Sequence, residues 1–166
     1  MNKNYIVNKK YYGTKFNDHL LEQYKSYAEM ATTASKRRDQ ANRFYIILLS
    51  GLFALLSILI QIGVMGDNQY LLLLAFAILG LGICYLWFKS ITSYGILSKA
   101  KYDTLREMEK SLPYRCYSEE WDRLKDSNYE ILTKVESRIP IIFGIFYSVL
   151  LLYSLINLLT QLGLVK

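Results

Sequence analysis

The chain has 166 residues, 52% of them hydrophobic, yet it carries a formal net charge of +6. The apolar residues are not spread at helix or strand spacing, as in a water-soluble domain of this size, but bunched into three uncharged runs. That excludes an ordinary soluble core, and the absence of Asp, Glu, Lys or Arg from every run leaves no candidate for a proton relay or a charged transport site.

Residues 1–43 read as a cytoplasmic N-terminal segment and helical arm. No Pro or Gly occurs from Asn17 to Arg43. Leu20, Tyr24, Tyr27, Ala31, Ala34, Arg38, Ala41 and Tyr45 recur at spacings of three and four, which predicts one stripe along a helix. Asn17 or Asp18 is the expected cap, with Asp18 and Glu22 near the positive end of the helix dipole. The arm should be about 40 Å long at about 1.5 Å per residue. It ends in Lys36-Arg37-Arg38 and Arg43. Cations here gain about 1 kcal/mol each from anionic headgroups. They read either as a topology lock or as a site for an anionic ligand.

Residues 44–88 read as a transmembrane hairpin. Phe44 to Met65 is an uncharged run of 22 residues and Tyr70 to Phe88 one of 19. About 20 apolar residues cross the roughly 30 Å hydrocarbon layer. The first run follows a 43-residue charged and polar segment and is too long for a signal peptide. The Gly66-Asp67-Asn68-Gln69 link forces the spans antiparallel. Ser50, Ala54, Ser57 and Gln61 lie along one face of the first span, and Gly80 and Gly82 sit in the second.

Residues 89–138 read as a second cytoplasmic arm and a Trp-containing segment. Ile91, Tyr94, Ser98, Tyr102, Leu105, Met108 and Leu112 keep the three–four pattern until Pro113 stops it. Each stripe is too weak to hold a lone helix in water, so the two arms should pack on each other or on neighbouring subunits. Ser118 followed by Glu119 and Glu120 predicts a further helix start, with Trp121 and Leu124 on one side. Asp126-Ser127-Asn128 reads as a turn. In "TKVE", 133–136, Thr133 is the expected cap and Glu136 reaches back to it.

Residues 139–166 read as a third transmembrane helix and a short outer tail. Ile139 to Val165 is an uncharged run of 27 residues. Pro140 should bend the helix where it enters the membrane. Ser154, Asn157 and Gln161 lie along one face near its outer end. In lipid, such small and polar stripes mark helix–helix contacts or line a wet pore; both readings stay open.

Lys and Arg count nine in residues 1–43, none in the hairpin link, ten in 89–138 and one beyond the last span. That asymmetry predicts both polar segments inside, and the hairpin link and C-terminus outside. Chemistry is sparse. His19 has no ligand partners, Cys84 and Cys116 have no metal or disulfide spacing, and Glu107, Glu109, Glu119 and Glu120 form no evident acid–base pair. No phosphate loop or nucleophile elbow occurs. No catalytic residue, cofactor site or metal site is expected, and the chain does not read as an enzyme. Nucleic acid is not expected as a partner, since 89–138 sets ten basic residues against nine acidic ones. Of the 15 tyrosines, several cluster at the membrane borders, which fits interfacial belts, and in the arms, which fits a helix interface with wet hydroxyls.

"HLLEQYKSYAEMA" at 19–31, "SKRRDQANRFY" at 35–45 and "TKVESRIPIIF" at 133–143 resemble the RipA family of small bacterial inner-membrane proteins. The resemblance covers nearly the whole chain. It implies a cytoplasmic-membrane homo-octamer without an assigned reaction, with Glu22, Tyr24, Arg38, Asn42, Glu136 and Pro140 at the family's recurrent positions. A looser likeness of plan is to the SLATT proteins, proposed pore-forming effectors in defence systems.

The resulting expectation is an all-α, three-span protein of the bacterial inner membrane with its N-terminus inside and its C-terminus outside. Its partners are the lipid bilayer and further copies of itself, in a ring acting as scaffold or pore. The alternative is a membrane-perturbing stress or phage-defence effector. Ser50, Ala54, Ser57, Gln61, Ser154, Asn157 and Gln161 are the candidates for an oligomer interface or pore face. Glu22, Tyr24, Arg37, Arg38, Asn42, Arg43, Glu136 and Pro140 are the candidates for membrane-surface and packing roles. A continuous first helix would couple arm to membrane.

Overall fold

A computed structural model describes residues 9–63, 66–127, 129–130 and 132–163. The inner end of the N-terminal segment (1–8), the last two residues of the first uncharged run, Asn128 of the expected turn and the last three residues of the tail lie outside the described residues.

The described chain is all-helical. A single turn α1 (Lys9–Tyr12) precedes α2 (Phe16–Gln61), α3 (Gln69–Glu109), α4 (Cys116–Asp126) and α5 (Leu132–Gln161). α2 begins just before the expected cap, so Asn17 and Asp18 fall in its first turn rather than ahead of it. It runs unbroken for 46 residues and is closed by Gly63, whose φ of 66° lets its N–H turn back to the Ile60 carbonyl at 3.2 Å. A 3-10 turn, Gly66–Asn68, occupies the hairpin link. α3 ends at Glu109, three residues short of the expected Leu112. The N–H groups of Lys110, Ser111 and Leu112 bond back to Glu107, Met108 and Glu109, so the chain tightens before Pro113 arrives. α5 continues through Pro140 as one helix.

α2, α3 and α5 are each long and apolar enough to cross a membrane. The chain divides into two units: Met1–Lys36 with Ile96–Tyr129, and Arg37–Gly95 with Glu130–Lys166. α2 and α3 contribute to both.

The first unit packs the start of α2, the end of α3 and α4. Ala31, Ala34 and Leu105 are buried, and Lys101 lies over the Tyr27 ring at 4.9 Å. The small alanines permit the close approach that the sequence stripe implied.

The second unit is a three-helix bundle. Leu49, Cys84, Trp87, Ile91 and Tyr147 form its core, with Phe53, Phe143 and Leu150 packed against it. Its register follows from paired contacts. Tyr45 stacks on Trp87 and Phe53 on Tyr147, with centroids 5.8 and 4.8 Å apart. Tyr70 meets Tyr153 at the far end. α3 therefore runs antiparallel to α2 and to α5. Two glycines of α3 act as notches. A Cβ on Gly80 would overlap the Tyr147 ring, and one on Gly95 would stand 2.8 Å from the Thr133 methyl. Among lipid chains, such close packing replaces the hydrophobic drive that water would give.

Candidate functional site

Two polar clusters stand out, one in each unit. In the first unit, Glu109 is fully buried. It continues the α3 stripe from Tyr102 and Leu105 at spacings of three and four, so its carboxylate faces inward. One oxygen accepts from the Tyr24 hydroxyl at 3.1 Å and from the Tyr117 N–H at 2.8 Å. The other accepts from the Ser118 N–H and the Ser118 hydroxyl, both at 3.2 Å. Tyr117 and Ser118 belong to the first turn of α4, whose capping residue Arg115 makes no side-chain cap bond. Glu109 thus supplies from α3 the acceptors that α4 lacks, and its charge meets the positive end of the α4 dipole. This corrects the expected helix start: α4 begins at Cys116, and Ser118 is a donor inside it. Burial first, and then the bond to Glu109, push the Tyr24 hydroxyl well above its usual range. Burial also raises Tyr117, whose ring lies 5.5 Å from Tyr102 and 6.4 Å from Tyr24. Trp121 is flanked by Arg106 and Lys125 at 5.7 and 5.8 Å.

In the second unit, Arg38 Nε lies 3.5 Å from Glu136 Oε2, with only 14% and 16% of the two side chains exposed. The pair joins α2 to α5. One turn further along α2, Asn42 Oδ1 accepts the Trp87 indole N–H at 2.9 Å, joining α2 to α3. Trp87 is fully buried between Tyr45 and Phe143. Thr133 packs against Gly95 and Glu136 turns to Arg38, so the expected capping box gives way to contacts between helices.

The other candidates are dispersed. Glu22 is exposed at the rim of an open hollow of about 520 Å³ that Tyr27 and Met108 also line. Arg37 is exposed, and Arg43 pairs on the surface with Asp39 at 3.0 Å. Pro140 is buried. Ser50, Ala54, Ser57 and Gln61 are all exposed, so this stripe has no covering helix among the described residues. Ser154 instead lies fully inside the unit, its hydroxyl donating to the Leu151 carbonyl. Asn157 is half-buried and donates to the Tyr153 carbonyl, and Gln161 is exposed.

Sequence reasoning missed Glu109 and Trp87. Glu109 has no acid–base partner in the sequence, yet its place in the α3 stripe marks it as buried. Trp87 lies one turn before Ile91 on the same stripe, where its indole N–H requires an acceptor.

A family model matches residues 21–156, and its description is the octameric membrane protein family (8xMP). The chain belongs to the octameric membrane protein family. The match covers both clusters and most of each of the three apolar helices, and it agrees with the resemblance read from the sequence to small octameric membrane proteins. No curated protein and no solved structure matches the chain.

Proposed function

We propose that this protein is a homo-octameric ring of the bacterial inner membrane, acting as scaffold or pore, with both polar segments inside the cell, and that it works by assembly rather than catalysis. The observation that carries the reading is the exposed face Ser50–Ala54–Ser57–Gln61 on α2. Small residues there admit another helix closely, and a closed ring satisfies every copy equivalently. The family's description supplies the subunit number. The Lys and Arg asymmetry supports the orientation.

Ala54→Leu adds bulk at the point of closest approach. It should open the ring while the monomer still inserts, read as a fall in particle mass by mass photometry. An unchanged particle would place the contact elsewhere. Ion flux through liposomes separates pore from scaffold. Orientation is read by an impermeant thiol reagent on intact cells: cysteines placed at Asn68 and Gln161 should label, and exposed Cys116 should stay protected until the cells are opened. Protection at Asn68 with labelling at Ser127 would invert the topology.

A further inference from the structure

The second unit carries more cation than its own acids can neutralise, and the excess is arranged. At the end of the bundle where Arg38 meets Glu136, the charged residues are Arg37, Arg38, Asp39 and Arg43 on α2, Lys89 on α3, Glu130 just before α5, and Lys134, Glu136 and Arg138 on α5. The three acids are each used once: Glu136 by Arg38, Asp39 by Arg43, and Glu130 by Arg138. Arg37, Lys89 and Lys134 are exposed and have no ion-pair partner among the described residues. One surplus cation of this unit therefore remains on each of the three helices, and Lys36, the α2 residue just before it, is exposed as well.

Helix register sets their depth. Arg38 sits opposite Glu136 on the parallel helix α5, so Lys134 lies about level with residue 36 of α2. Asn42 sits opposite Trp87 on the antiparallel α3, so Lys89 lies about level with residue 40. Arg37 falls between. At about 1.5 Å per residue the three cations share a slab about 6 Å thick. The slab borders the apolar runs: Lys89 follows Phe88 directly, and its ammonium lies 5.7 Å from the Tyr85 ring centroid. Long cationic side chains at this depth reach the headgroup layer while their stems stay on apolar surface.

We infer that Arg37, Lys89 and Lys134 form a collar that binds anionic phospholipid headgroups. Cations without an ion-pair partner at one depth, on three different helices, suit a layer of monovalent phosphodiesters better than one compact anion. The inference rests on the bundle being embedded in a bilayer, not on the number of copies. A dispersed particle that still takes up acidic lipid would end the ring and leave the collar standing.

The test uses the full chain in detergent micelles doped with phosphatidylglycerol, phosphatidylcholine or inorganic phosphate, with thermal unfolding and bound lipid by native mass spectrometry as readouts. Only phosphatidylglycerol should stabilise the parent. Neutralising each cation should weaken its binding about fivefold, and Arg37→Gln/Lys89→Gln/Lys134→Gln together about a hundredfold. Arg37→Lys/Lys89→Arg/Lys134→Arg should restore binding. Lys125→Gln, which removes an exposed cation of the first unit, should leave it unchanged. Equal lipid uptake by the triple variant would overturn the collar. So would equal stabilisation by inorganic phosphate, or an equal loss in Lys125→Gln.

Discussion

The two units solve the same problem, packing long helices, with opposite chemistry. The arm unit buries small alanines, one leucine and a carboxylate with four donors, one of them the Tyr24 hydroxyl. The span unit buries large rings, Tyr147 against a glycine notch, and its polar bonds between helices gather near one end. Water explains the difference. In the arms, apolar burial contributes about 25 cal/mol per Å² and polar groups set the geometry. Among lipid chains that drive is lost, so shape must hold the helices.

The largest expected effect tests the mostly buried ion pair that joins α2 to α5 in the span unit. Glu136→Ala leaves the largely enclosed Arg38 guanidinium without its carboxylate, and should cost about 3–5 kcal/mol as a fall in thermal stability. Arg38→Leu/Glu136→Leu together should recover much of it. A silent Glu136→Ala would mean that solvent or headgroups already serve Arg38.

Next is the arm network. Glu109→Gln puts an amide where four donors converge, and should cost about 2–3 kcal/mol. Hydrogen exchange should quicken across residues 116–126 and stay unchanged in 143–157. Equal quickening in both segments would erase the distinction between the units.

Gly80→Ala is the matching test of shape. The new methyl meets the Tyr147 ring, and the overpacking should cost about 1–3 kcal/mol. The loss should appear as lower resistance of the spans to detergent, with exchange in 116–126 unaltered.

The smallest effect is Tyr24→Phe, about 1 kcal/mol for one hydrogen bond. Its sign with pH is informative. The folded hydroxyl holds its proton above its ordinary value of 10.0. The contribution is therefore present below that value and is lost as pH rises beyond it towards the folded value. The parent should lose arm stability faster than Tyr24→Phe on the alkaline side, read by exchange in 116–126.

Much of this was legible in the sequence. The stripe from Leu20 to Tyr45 predicted the inward side of α2, and none of its eight residues is exposed. The uncharged runs marked the spans because hydrocarbon tolerates no alternative. The local end signals failed together, at Ser118, Thr133 and Leu112. A capping motif reports which bonds a short segment can make with itself, and at two of these ends it was outcompeted by a residue of another helix: Glu109 of α3 for α4, Gly95 and Arg38 for the start of α5. Glu109 itself was obscured because an acidic residue in a polar arm looks solvated until the opposing helix is placed.

The two notches on α3 fix more than closeness. Gly80 and Gly95 are separated by about 22 Å of helix, and the side chains that fill them, Tyr147 and Thr133, by about 21 Å. α5 therefore engages α3 like a key with two teeth cut to the same pitch. Sliding by one helical turn would lift both teeth at once, and rotation would unseat them together. The register of the third span is thus encoded in its neighbour.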